Sequence, residues 1–317
     1  MTDDLLRHYR TVASEIAAGR VVPFLGAGVN LCGRIQTAGW RASQHPPSGV
    51  ELTEHLARSF NYPRQPPTDL ARVSQYAATM NGSGPLYEEL RKVFNIDYRP
   101  TAVHRLLAQL PALLRARVTT PEYQLIVTTN YDNALEQAFQ AAHEPFDVIS
   151  YMADGEHRGQ FLHYLPGDNP RLIHRPNEYT ELRLDQRTVI LKIHGAVDRA
   201  SPDRDSYVIT EDHYIDYLTR TDISNLVPVT LAAELRRSHF LFLGYSLRDW
   251  NLRVILHRIW GQQRLSYKSW AIQLDPDELE REYWIKRDVN ILNVSLEEYV
   301  AGLNLQLQDL LMPGKEG

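Results

Sequence analysis

Two kinds of residue in this chain could do chemistry together: small residues that let the backbone approach a ligand, and polar side chains that could handle a proton beside it. The first kind is Gly26-Ala27-Gly28-Val29-Asn30, entered directly from the apolar run Val21-Val-Pro-Phe-Leu25. Glycines at positions 26 and 28 remove the Cβ atoms that would block both a tight turn and the approach of a phosphate. A helix after the turn would aim its free N–H groups and positive dipole end at a pyrophosphate. Short glycine motifs also serve tight packing alone, so the turn has two readings until other residues join it. The second kind is Asn130 and Asp132 in Thr128-Thr129-Asn130-Tyr131-Asp132, and His194 in Lys192-Ile193-His194-Gly195. An imidazole with an ordinary pKa of about 6.5 accepts a proton near neutrality. An amide and a carboxylate can orient hydroxyls and water or offset positive charge. The plainer alternatives are that Asn130 and Asp132 cap a helix and that His194 is a satisfied structural histidine.

These residues must be positioned by the elements around them. Residues 3–19 carry a helical apolar stripe ended by Gly19, and residues 33–50 read as a long irregular loop of the kind that covers a ligand. From about 50 to 118, the segments 50–57, 69–76 and 86–94 show i, i+3, i+4 apolar spacing, which predicts an inserted helical module, followed by a helix from Pro100 with Thr101 near its start. Apolar, β-branched runs predict strands over 21–25, 125–129, 188–193, 240–243, 270–274 and 289–294. Helices are expected over 134–142, from the fourth of these strands to about Trp260, and to about Lys286, whereas 145–185 yields no assignment.

Strands alternating with helices imply an α/β fold with a parallel, doubly wound sheet, whose ligands bind outside the carboxyl ends of the strands. The polar and glycine-rich groups fall there repeatedly. Gly26 to Asn30 come after the first strand, Asn130 and Asp132 after the second, and His194 after the third. Gly244 and Ser246 come after the fourth, and Asp275 after the fifth. His104, one turn into an apolar-striped helix, reads as structural, and His157, His163 and His174 lack the spacing of metal ligands.

Composition narrows the function classes. A charged content of 23% and a hydrophobic content of 43% are those of a globular chain. The net charge of −5 gives no electrostatic case for direct nucleic-acid binding. Cys32 is the one cysteine, which excludes an internal disulfide and a Cys-rich zinc module. No apolar run is long enough for a membrane span and the N-terminus does not read as a signal peptide, so a cytoplasmic location is expected.

The blocks Gly26-Ala-Gly-Val-Asn30, Pro100-x-x-x-His104-x-x-Leu107, Thr128-Thr-Asn130-Tyr-Asp132, Lys192-Ile-His194-Gly195 and Leu243-Gly-Tyr-Ser-Leu247 stand in the order of the sirtuin signature blocks. The chain resembles most the prokaryotic sirtuin-like branch of antiphage defence, over about residues 20–300. The resemblance implies one sirtuin-like domain over 1–317, with a Rossmann-like core at about 15–40, 120–145 and 186–300 and a helical insertion at about 50–118. It departs from deacylating sirtuins in lacking the cysteines of their zinc ribbon, and their Asp-Phe-Arg stretch, part of whose role Arg34 could play. It therefore implies hydrolysis of NAD, bound as substrate without a metal, to nicotinamide and ADP-ribose. Transfer of ADP-ribose or an acyl group and non-catalytic NAD or ADP-ribose binding are the alternatives. In this picture Asn130, Asp132 and His194 are catalytic, and Gly26, Ala27, Gly28, Asn30, Arg34, Thr129, Gly244, Ser246 and Asp275 bind NAD. The resemblance further suggests a homo-oligomer and a separate trigger protein, either a HerA-class hexameric ATPase or a short Argonaute-like protein.

Overall fold

The computed structural model describes residues 3–34, 40, 44–116, 123–219, 227–245 and 268–311. Among them, nine strands form one sheet: β1 (Val21–Leu25), β2 (Leu125–Thr128), β3 (Phe146–Tyr151), β4 (Phe161–Tyr164), β5 (Arg171–Ile173), β6 (Thr188–Lys192), β7 (His239–Leu243), β8 (Ser269–Gln273) and β9 (Val289–Asn293). The order across the sheet is β5-β4-β3-β6-β2-β1-β7-β8-β9. The seven strands from β3 to β9 in that order run parallel, and β4 pairs antiparallel with both β3 and β5. The fold is thus Rossmann-like. Its chain moves outward from β1 through β2 on one side and begins the other half at β7, so the strand order reverses at the β1/β7 junction.

Every residue of β1, β2 and β6 is buried, as expected for parallel strands covered on both faces. Alternate residues serve two separate cores. Val22, Phe24, Val127, Leu191 and Phe242 face one, with Leu231, Leu235 and Trp284 from helices Val229–Arg237 and Glu278–Ile285. Val21, Leu25, Ile126, Ile190 and Leu241 face the other, with Tyr9, Val12 and Ile16 from helix Asp3–Ala17 and with Leu107, Leu110 and Leu114 from helix Ala102–Arg115. Helix Leu296–Leu311 joins this second core through Tyr299, Val300, Leu303 and Leu307. It has no counterpart among the elements read from sequence.

Helices Gly49–Ser59, Leu70–Asn81 and Ser83–Phe94 make a third core of their own, packed on Tyr131, Val197, Tyr207 and Ile209. Ser48 starts this module with a capping box, its side chain accepting from Glu51 N–H while the Glu51 carboxylate accepts from Ser48 N–H. The stretch 145–185 contains β3, β4 and β5. The helix expected to about Trp260 and the terminal Pro-Gly-Lys-Glu-Gly lie outside the described residues.

Candidate active site

Strand register puts the site residues at one level. Leu25 pairs with Thr128 on one side and Leu243 on the other, Thr128 with Lys192, and Leu243 with Ile272. The segments leaving β1, β2, β6, β7 and β8 therefore emerge flush along one edge of the sheet. They line a cavity of 970 Å³ that contains Gly26, Ala27, Gly28, Asn30, Arg34, Thr129, Asn130, Asp132, His194, Gly244 and Asp275. Four strand spacings separate β6 from β8, on the order of 19 Å, an extended site rather than a compact one. Ser246 lies outside the described residues.

The glycine turn differs from its expected form. Strand β1 leads into a five-residue 3-10 helix, Ala27–Leu31, rather than an α-helix. Its first N–H groups are partly spent, since Gly26 N–H donates to Leu243 O (3.0 Å) and Gly28 N–H to Gly244 O (2.8 Å). A Cβ on Gly26 or Gly28 would stand 2.7 or 2.6 Å from Gly244 O, and one on Gly244 only 2.1 Å from Val29 N. Gly244 also holds φ at +65°. These three glycines let the segments after β1 and β7 press together, which closes the floor of the cavity.

Asn130 and Asp132 are almost fully buried. Asn130 N–H donates to Thr128 Oγ1 (3.0 Å) and its Nδ2 to Gly26 O (3.2 Å), which ties the β2 segment to the glycine turn. The Asp132 carboxylate accepts from Ala134 N–H through Oδ1 (3.0 Å) and from Asn30 Nδ2 through Oδ2 (3.3 Å). Asp132 thus supports helix Ala134–Ala141 and aims Asn30, both while lining the cavity. Asn30 Oδ1 is buried and has no partner among the described residues.

His194 is 4% exposed, and its Nε2 likewise has no partner among the described residues. Its ring meets Tyr214 and Tyr217 edge-on, at centroid distances of 5.6 and 6.2 Å. Sequence reading had no signal for these tyrosines, which arrive on helix Glu211–Thr219. Burial pulls the imidazole pKa down to about 3, in place of the ordinary value assumed from sequence, so His194 is neutral near pH 7. Gly195, at φ +85°, lies against Ser206, where a Cβ would sit 2.2 Å from the carbonyl oxygen. His104 holds the start of its helix, accepting from Thr101 N–H at Nδ1 (3.1 Å), and burial lowers its pKa to about 4.

Arg34 reaches the cavity wall with its guanidinium paired to Glu51 through two contacts of 2.9 and 2.6 Å. Asp275 is exposed, has φ +49°, and its N–H donates to Asn293 Oδ1 (3.0 Å). Its neighbour Asp277 caps helix Glu278–Ile285. Among the described residues no group of three or more His, Cys, Asp or Glu side chains could hold a metal ion, and no helix is long and apolar enough to cross a membrane.

A family model described as a SIR2-like domain matches residues 124–292, more than half of the chain. The chain belongs to the SIR2-like domain family. The matched span of this SIR2-like chain holds Asn130, Asp132, His194, Gly244 and Asp275, while the glycine turn precedes it. The chain is 28% identical over 249 residues to a protein named NAD(+) hydrolase ThsA from Enterococcus faecium, covering 78% of this chain and 41% of that protein. A protein of the same name from Acinetobacter baumannii (strain 532279) is 27% identical over 252 residues, covering 78% of this chain and 41% of the relative. Defense-associated sirtuin 2 of Bacillus subtilis is 24% identical over 327 residues, 97% of this chain and 27% of that protein. The chain spans less than half the length of these relatives.

Proposed function

We propose that this protein hydrolyses NAD at the nicotinamide–ribose bond. The observation that carries the reading is the pairing, in one extended cavity, of two buried polar atoms without partners among the described residues, Asn30 Oδ1 and His194 Nε2, beside Asn130. A buried polar atom left unpaired costs about 1–3 kcal/mol, a cost that ribose hydroxyls or an ordered water would remove. The names of the relatives supply the substrate class.

The bond between C1′ and the pyridinium nitrogen breaks with its electron pair going to nitrogen, so nicotinamide leaves neutral and an oxocarbenium-like ribose remains. Water adds its oxygen to C1′ and loses one proton. Asn130, held by the Gly26 carbonyl, orients the ribose and that water. The neutral His194 imidazole orients that water by a hydrogen bond at Nε2, and the proton released as water adds leaves to bulk solvent through the open cavity. Asp132 acts by fixing Asn30 and by placing negative charge near the developing cation. The glycine floor receives the diphosphate, and Asp275 receives the adenosine ribose.

The name of one relative, defense-associated sirtuin 2, supports a role in defence, which we take to be defence against phage by depletion of NAD. Restraint until infection then requires a trigger, which we assign to a separate protein of the HerA-class ATPase or short Argonaute-like kind, or to assembly of the chain into a homo-oligomer. Purified protein incubated with NAD, with chromatography of the products, tests the reaction. Equal release of nicotinamide and free ADP-ribose by the wild type, lost in Asn130→Ala and His194→Ala, is the expected result. Nicotinamide release only with a protein acceptor would indicate a transferase, and binding without turnover a sensor.

A further inference from the structure

We infer that Lys192 is a positioning residue for the reaction proposed here, acting through the backbone of Asp132 to hold the Asn130–Asp132 segment in its productive shape. Lys192 ends β6 and is 2% exposed, an unusual place for an ammonium group. Its Nζ donates to Asp132 O (2.5 Å) and to Glu136 Oε1 (2.6 Å). Glu136 lies in the first turn of helix Ala134–Ala141, and its second carboxylate oxygen is buried without a partner among the described residues.

The pair is a poor device for stability. Desolvating an ammonium and a carboxylate costs about as much as their attraction returns, and packed apolar residues in their place are often neutral or stabilising. What Lys192 does that an apolar side chain cannot is bond the Asp132 carbonyl. Each residue of the segment is fastened through its backbone. Thr128 Oγ1 accepts from Asn130 N–H (3.0 Å), the Tyr131 carbonyl accepts from Val197 N–H (3.1 Å), and the Asp132 carbonyl accepts from Lys192 Nζ. Lys192 also pairs in register with Thr128, so one strand position fixes the segment from beside its root. Loss of the ammonium frees the 132–133 peptide to rotate, which moves the Asp132 carboxylate off Asn30 and shifts Asn130 against the turn.

A charge-balanced double variant, Lys192→Met with Glu136→Gln, separates positioning from bulk stability. It is read by NAD turnover, by thermal unfolding and by amide hydrogen exchange over residues 130–134. The expected result is an unfolding temperature at or above that of the wild type, kcat lowered at least tenfold with KM within about threefold, and faster exchange confined to 130–134. Lys192→Arg, which retains the donors, should recover part of kcat. Wild-type kcat in the double variant, or unchanged exchange over 130–134, overturns the inference. A fall in unfolding temperature that accounts for the lost turnover overturns it as well. Should the wild type itself leave NAD intact, the hydrolase reading fails, and hydrogen exchange alone still decides the role of Lys192.

Discussion

At the β2 and β6 end of the cavity, Asn130, Asp132, Lys192 and His194 are all less than a tenth exposed, and the first three are joined by hydrogen bonds to residues 60 or more positions away in sequence. At the β8 end, Asp275 and Asp277 stand exposed, and the Asp277 carboxylate begins a helix. The first end has its geometry before any ligand arrives, which is what a bond-breaking site needs, because preorganised groups cost no rearrangement at the transition state. In the proposed reaction the second end would make its contacts only with the ligand and so contribute to holding it. On the reading proposed above, reaction and recognition are divided between the two halves of the sheet, with the glycine floor of β1 and β7 between them.

That division breaks first if the buried end tolerates change. Asn130→Ala or His194→Ala is expected to lower NAD turnover by about 10²–10⁴-fold with an unchanged far-UV spectrum. Less than a tenfold loss in both would move the chemistry elsewhere. A pair of glycine substitutions probes rigidity. Gly195→Ala drives a Cβ into Ser206 at φ +85°, whereas Gly33→Ala, at φ +78°, meets nothing within 4 Å and lies beside Glu297, to which its N–H donates. We expect Gly195→Ala to lose about 3 kcal/mol or more and Gly33→Ala about 1 kcal/mol in urea denaturation. Equal losses would erase the contrast.

Acid should also act on the buried histidines. His194 is held at about 3, and His104 and His8 at about 4, all by burial. Unfolded, each returns to about 6.5, so below that pH the unfolded chain binds more protons than the folded one. Stability is therefore full above pH 6.5 and falls toward pH 4, by about 1.4 kcal/mol per pH unit for each histidine. His194→Gln should remove about a third of that slope, measured from unfolding free energies at pH 7 and 5.5. The kcat/KM profile should show no histidine limb near pH 6.5. The smallest effect belongs to the open end. Asp275→Asn is expected to change KM by about fivefold or less, since an exposed charge contributes about 1 kcal/mol at most, and to leave kcat alone. A loss of kcat there would make the exposed end part of the chemistry.

The parallel strands were legible because runs such as Leu125-Ile-Val-Thr and Phe240-Leu-Phe-Leu are apolar almost throughout, the mark of strands covered on both faces. Residues 145–185 were not. β5 has three residues, one of them Arg171, and β4 contains His163, a residue made compatible with burial by Tyr179 and Asp147 from other segments. Tyr179 lies 16 residues away along the chain and Asp147 on the neighbouring strand, so no local pattern announces them. Helix Leu296–Leu311 was missed although its stripe from Tyr299 to Leu311 has helical spacing.

From the chain's own pattern came the elements, and with them the fact that Gly26, Asn130, His194 and Gly244 each stand just beyond a strand, because strand identity depends on short runs of buried side chains. Tertiary structure decided what those residues are. Flush register gathers them, the Gly244 backbone packs against Gly26 and Gly28, Asn30 and helix 134–141 occupy the Asp132 carboxylate, and burial beside Tyr214 and Tyr217 makes His194 neutral. Protonation and hydrogen bonding are set by neighbours in space, and these neighbours come from segments distant in sequence.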